Sequence, residues 1–164
     1  MKVIFSHGKE SGPWGTKIRR LAEIAKGRGV SVESLDYTHT MDPDNRVEQL
    51  LETLSTETED FLLAGSSMGG YVALVASQQV IARGVFLMAP ALYIPGYACQ
   101  DYASISPHVE IIHGWNDDII PVENSIRYAR DAGCLLNIVN GNHALDDVLD
   151  LVDQQFSGFL DRTL

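Results

Sequence analysis

Phe61-Leu62-Leu63-Ala64-Gly65-Ser66-Ser67-Met68-Gly69-Gly70 is the stretch from which the fold can be read. Its first four residues are apolar without a break, so the strand they form faces water on neither side. Buried strands of parallel sheets have this composition. Gly65 to Gly69 then matches G-x-S-x-G, with Ser67, not Ser66, at the centre. In that motif the chain turns sharply from strand to helix and lifts the central hydroxyl into the open, and the glycines avoid clashes at the turn. Residues from Gly69 to about Val80 follow as a helix. A glycine-rich packing turn, or an anion site at a helix N-terminus, is the plainer alternative. The buried strand before and the helix after favour the nucleophile over both.

Outward from this stretch, short apolar runs alternate with longer amphipathic ones. Val3-Ile4-Phe5, Val30 to Leu35, Val85 to Met88, Val109 to Ile112 and Leu135 to Val139 read as the other strands. Val30 to Leu35 alternates apolar with polar residues, as a strand near a sheet edge does. Helices are expected over Gly15–Arg28, from Pro43, over Glu123–Ala132 and over Asp146–Leu160. The first places Ile18, Leu21, Ala22 and Ala25 on one face, the second Val47, Leu50, Leu51 and Leu54, and the last Val148, Leu149, Val152, Phe156 and Phe159. Such alternation implies right-handed crossovers and a mostly parallel sheet covered on both faces. It predicts an α/β fold in which residues 1–164 form a single domain. Only residues 90 to 107, with Pro90, Pro95, Gly96 and Pro107, lack a period.

The net charge is -10, from 12 basic and 22 acidic residues, which argues against nucleic acid and anionic membrane surfaces as partners. No apolar run reaches membrane-spanning length. The first residues enter a strand pattern at once and lack the layout of a signal peptide, so a cytoplasmic protein is expected. Cys99 and Cys134 stand apart and read as reduced thiols. No H-E-x-x-H, H-x-x-E-H or clustered Cys/His spacing suggests a metal. Neither G-x-x-x-x-G-K-[ST] nor a helix-opening G-x-G-x-x-G suggests a nucleotide.

Ligands of such sheets sit outside the carboxyl ends of the strands. A serine hydroxyl there is a weak nucleophile until a base takes its proton. Of five histidines, His143 directly follows the last strand and precedes the last helix, which puts it at the same end of the sheet as Ser67. His39 and His108 read as surface residues. The base in turn needs an acceptor to hold its tautomer. Asp117 and Asp118, after the fifth strand, are both candidates, and Asp146 and Asp147 read as residues that offset the dipole of the last helix. An oxyanion would be held by backbone N–H donors. The N–H of Met68 is one, and the loop after the first strand supplies the other, from Lys9 or, as the fallback, Gly8. Trp14 and Tyr71 are candidates for walls of a substrate site, with core packing as the alternative.

The His7-Gly8 loop, the Gly65–Gly70 elbow, His113-Gly114-x-x-Asp117-x-x-Ile120-Pro121 and Gly141-x-His143 together resemble the α/β-hydrolase superfamily. Its H-G-x-x-D-x-x-V-P signature falls on the third segment, and the resemblance selects Asp117 as the acid, leaving Asp118 to cap or flank the next helix. The order Ser67, Asp117, His143 is the order of that fold. By the same analogy His7 ties its loop down and is not a second base. The resemblance implies a three-layer sandwich with strand order 2-1-3-4-5-6 and no required cofactor. Only about twenty residues, Ala89 to His108, lie where larger members insert a lid. It therefore resembles the minimal, lidless serine esterases that act on small or soluble acyl substrates. Ser66 and Met68 beside the nucleophile, where lipases carry His or Tyr, argue against a lipase. Two other readings stay open: an amide or carbon–carbon bond hydrolase with the same triad, and a binding module on the same fold.

Overall fold

The computed structural model describes residues 1–164. Six strands form one sheet: β1 (Lys2–Ser6), β2 (Ser31–Leu35), β3 (Phe61–Ser66), β4 (Gly84–Met88), β5 (Val109–Gly114) and β6 (Leu135–Val139). Their spatial order is β2-β1-β3-β4-β5-β6, and every neighbouring pair is parallel. The register fixes each strand's contribution: Ser6 sits opposite Gly65, and Ser66 opposite Met88. The helices are α1 (Thr16–Gly27), α2 (Pro43–Ser55), α3 (Met68–Ala76), α4 (Val122–Ala132) and α5 (Leu149–Thr163).

Alternation along the strands splits the core in two. Val3, Phe5, Leu62, Ala64, Phe86 and Met88 face α1 and α5, where they meet Ile18, Leu21, Phe156 and Phe159. Ile4, Leu63, Val85, Leu87 and Ile111 point the other way, onto α2, α3 and α4. The central strand β3 is buried on both faces, as its apolar run requires, whereas β2 and β6 stand at the edges and are only partly covered. α2 starts where Asp42 accepts hydrogen bonds from the N–H groups of Asp44 and Asn45, with Pro43 in the first turn.

Two helices differ from the expectation. α3 stops at Ala76, because the Ser77 hydroxyl donates back to the Leu74 carbonyl and residues 78 to 80 continue as tight turns. The last helix begins at Leu149. Asp146–Val148 form a separate 3₁₀ turn, entered through Leu145 with φ 60°. It is Asp150 that stands in the first turn of α5. Asp118 is exposed and flanks α4 without capping it; α4 opens at Val122, with Pro121 as an N-cap that makes no side-chain bond.

Residues 89 to 108 form no helix, and Leu92 and Tyr102 among them are buried in the core. Tyr71 anchors this segment: its hydroxyl donates to Asp44 Oδ1 at 2.6 Å and accepts from the Cys99 N–H at 3.0 Å, while Asp44 Oδ2 accepts from the Ala98 N–H. Cys99 and Cys134 are both free. No helix is long and apolar enough to cross a membrane.

Candidate active site

Ser67 lies between β3 and α3 at φ 55° and ψ -120°, a backbone region that a serine rarely occupies. Surrounding bonds enforce it. Its N–H donates to the Met88 carbonyl, and its own carbonyl accepts from the N–H groups of Gly70, Tyr71 and Ala91. The motif's glycines are dictated by space. A Cβ on Gly65 would stand 2.1 Å from the Gly69 carbonyl oxygen, and one on Gly69 would stand 2.0 Å from that of Ser6. Both distances are far below any van der Waals contact, so the elbow closes only with glycine at 65 and 69.

Three segments converge on this turn. His143 Nε2 lies 3.0 Å from Ser67 Oγ, and its Nδ1 lies 2.7 Å from Asp117 Oδ2. An ionised carboxylate only accepts, so Nδ1 carries the proton of the neutral imidazole and the Nε2 lone pair faces the hydroxyl. The Asp117 carboxylate is withdrawn from water, whereas the His143 side chain keeps 21% of its exposure.

Asp117 is held at both oxygens. Oδ1 accepts from the N–H groups of Ile119 and Ile120, at 2.9 and 2.8 Å. Oδ2 accepts from His143 and also from His113 Nε2, at 2.8 Å. Burial alone pushes this carboxyl up, but the hydrogen bonds from His143, Ile120 and Ile119 outweigh it and hold the group below its ordinary value. It therefore stays an acceptor.

His113 is a participant that sequence reasoning left as part of a motif. Its Nε2 faces two acceptors, Asp117 Oδ2 and the Ile120 carbonyl, so that nitrogen carries the hydrogen. Nδ1 then accepts from the buried Ser125 hydroxyl at 2.7 Å. Burial pushes the His113 pKa down and keeps the ring neutral. The histidine that opens the H-G-x-x-D segment is the available signal.

His7 is fully buried and belongs to the scaffold. The Tyr37 N–H donates to Nε2 at 3.0 Å, so Nδ1 carries the hydrogen and donates to the Gly8 carbonyl at 2.7 Å. Burial lowers its pKa too. Lys17, on α1, holds the other side of the site by donating to the Ala144 carbonyl, next to His143. Neither Lys17 nor Arg46, which grips the His7–Lys9 loop, carried a sequence signal, because a basic residue in a helix's first turn normally points to water.

The two aromatic candidates part company. Trp14 stays 39% exposed on the loop after β1. Tyr71 does not reach the open surface around Ser67. It is fully buried, with its ring edge-on to Tyr97 and its hydroxyl committed to Asp44 and Cys99. Its wall position is corrected accordingly: one helical turn beyond Ser67, the side chain falls on the face of α3 that meets α2.

Residues 2–104 match the model of UPF0227, an uncharacterised protein family. The chain belongs to this family, within the α/β-hydrolase superfamily. A solved protein of Xanthomonas campestris pv. campestris assigned to that superfamily is 32% identical, with 98% of each chain covered and a TM-score of 0.90. The esterase Est1E of Butyrivibrio proteoclasticus, solved with ferulic acid bound, is 17% identical over 99% of this chain and 88% of its own, with a TM-score of 0.81. A lidless serine hydrolase of Xanthomonas campestris is also 17% identical, over 99% and 82%, with a TM-score of 0.78. The last two show the fold alone. No curated protein matches the chain. The 32% identical relative, assigned as a hydrolase of that superfamily, supports a hydrolase.

Proposed function

We propose that this family member is a serine hydrolase that cleaves small or soluble carboxylic esters or thioesters through an acyl-enzyme on Ser67. The observation that carries the reading is the unbroken line from the Ser67 hydroxyl through His143 to Asp117, at 3.0 and 2.7 Å.

In the proposed reaction Ser67 Oγ attacks the acyl carbonyl carbon while His143 Nε2 takes its proton. The carbonyl π electrons move onto oxygen, and the resulting oxyanion is received by backbone N–H groups. As the tetrahedral intermediate collapses, the C–O or C–S bond breaks and His143 returns the proton to the leaving group. A water molecule, deprotonated by the same nitrogen, then releases the acid and restores Ser67. Asp117 keeps the hydrogen on Nδ1 and stabilises the imidazolium that forms in both halves.

Two features support Met68 and Lys9 as the oxyanion donors. Met68 is the first residue of α3, where helical N–H groups have no partner in their own helix. Neither its N–H nor that of Lys9 is used by another group of the protein. The lack of a helical insertion between β4 and β5 favours small or soluble substrates. Trp14, Trp115 and Ile119 offer exposed apolar surface on the loops that carry Lys9 and Asp117. Est1E, which shares the fold and was solved with ferulic acid bound, makes esters the first substrates to try.

The test is hydrolysis of a short p-nitrophenyl ester together with labelling by a fluorophosphonate. Wild type should hydrolyse the ester and label at Ser67, and Ser67→Ala should do neither. Equal rates for the two proteins would end the assignment, and a wild type that fails to label would favour a binding module.

A further inference from the structure

Arg46, in the first turn of α2, is fully buried. No carboxylate pairs with it; the ionisable groups near it are the Tyr37 and Tyr97 hydroxyls and the His7 ring. Burying a guanidinium without a counter-ion is costly unless its donors are all engaged. Backbone carbonyls engage four of its five N–H donors. Nε donates to Thr40 O at 3.0 Å, Nη1 to His7 O at 3.3 Å and Gly8 O at 3.1 Å, and Nη2 to Lys9 O at 3.2 Å. The Tyr37 ring centroid lies 5.4 Å from the guanidinium carbon and adds a cation–π contact.

Three of these acceptors are successive. In an extended chain successive carbonyls alternate sides, yet those of His7, Gly8 and Lys9 all turn to one cation. The peptide units are trans, so each N–H points opposite to its carbonyl. The N–H groups of Gly8 and Lys9 are thereby turned away from Arg46, and no group of the protein accepts from them. Gly8 itself borders the elbow, since a methyl placed on it would stand 3.7 Å from Ser67 Cβ.

We propose that Arg46 is a positioning residue that gathers the His7, Gly8 and Lys9 carbonyls on one side of their loop and so aims the loop's N–H groups at the oxyanion formed on Ser67. This rests on the serine-hydrolase reading above. Arg46 touches no reacting atom. Its charge sits behind the peptide dipoles in the order cation, C=O, N–H, oxyanion, and a chain of this kind polarises each link. A planar fork is needed to hold several carbonyls at once, which an ammonium cannot do.

The experiment compares wild type, Arg46→Gln and Arg46→Lys as full chains on a short p-nitrophenyl ester. Active sites are titrated to completion with a fluorophosphonate, so misfolded protein does not count. Losing a whole oxyanion donor typically costs about 100- to 1000-fold in kcat. A donor that is loosened rather than lost should cost less. We expect kcat per titrated site to fall about 10- to 100-fold in Arg46→Gln, less in Arg46→Lys, and phosphonylation to slow in parallel. KM should stay within about threefold and the pH–rate profile should keep its position, because Ser67, His143 and Asp117 are untouched. If Arg46→Gln does not fold, Arg46→Lys, which keeps the charge and the aliphatic stem, carries the test. Variants that lose only thermal stability and titratable fraction, with wild-type kcat per site, overturn the inference while wild-type activity leaves the hydrolase reading standing. A wild type that neither labels nor turns over fails that reading itself, and the role of Arg46 with it.

Discussion

The two rims of the sheet treat their polar groups in opposite ways. At the amino rim charges neutralise one another. Lys2 pairs with Glu57 and Glu33, Arg83 with Asp60, and Arg162 clasps the buried Glu110 at 2.8 and 2.9 Å. A cavity of about 300 Å³ opens there, lined by His108, Glu110, Tyr128, Cys134 and Arg162, and burial pushes the Cys134 thiol up to about 11. At the carboxyl rim the cavity beside Gly8, Ser66 and Lys17 is only about 150 Å³. Yet that rim carries the strained serine, two buried neutral histidines, a cation without a counter-ion and N–H donors that nothing in the protein uses. Of the two rims the amino one has the larger cavity, although the largest, about 450 Å³, lies between β6 and α5; convergence points to the carboxyl rim. Reactive groups need a fixed geometry and hydrogen-bonding capacity left unspent, and only the second rim has both.

The contrast can be broken or sharpened by experiment. Asp117→Asn should have the largest effect. An amide nitrogen at the Oδ2 position cannot accept from His143 and His113, the base loses its tautomer, and kcat on a p-nitrophenyl ester should fall by about 10⁴-fold. Gly69→Ala drives a methyl into the Ser6 carbonyl and should cost about 4 kcal/mol or more, read as a lost urea transition or an absence of soluble protein.

A pH dependence comes next. Burial holds His7 and His113 below the ordinary histidine value, so the unfolded chain takes up protons near pH 6.5 that the folded chain still refuses. Their contribution to stability is full above that pH and is lost as the pH drops through the lower folded values. The urea midpoint should fall between pH 7.5 and 5.5, and His113→Asn should flatten the slope. An unchanged slope would mean that the folded ring takes up a proton as readily as the unfolded one.

The amino rim supplies the small effects. Cys134→Ala should cost about 1 kcal/mol and leave kcat/KM unchanged. Arg83→Ala removes an exposed ion pair and should shift stability by less than about 1 kcal/mol, again without a change in turnover. A tenfold fall in kcat/KM from either would erase the distinction between the rims.

Much of the site could be read beforehand for a local reason. Ser67, Asp117 and His143 each sit within a few residues of the end of a strand, and in a parallel sheet every strand end of one polarity lies on the same rim. Tyr71 shows the limit. An aromatic four residues past the nucleophile fits a site wall or a core anchor equally well by sequence, and its partner Asp44 lies 27 positions away. An acidic pair before an apolar run marks a helix start at Asp146, but Leu145 in the left-handed region turns the chain first, and α5 begins at Leu149.

By itself the sequence determined the alternation of elements, the buried central strand and the need for glycine around Ser67, because these depend on period, composition and the space at one turn. Tertiary structure alone decided which groups serve the site from a distance. Arg46 reaches three carbonyls about 38 residues away, Lys17 reaches Ala144 across 127, and His113 shares one carboxylate oxygen with His143. Such contacts are set by how helices pack across the sheet, and no local pattern of residue types encodes where a long side chain will find its acceptors.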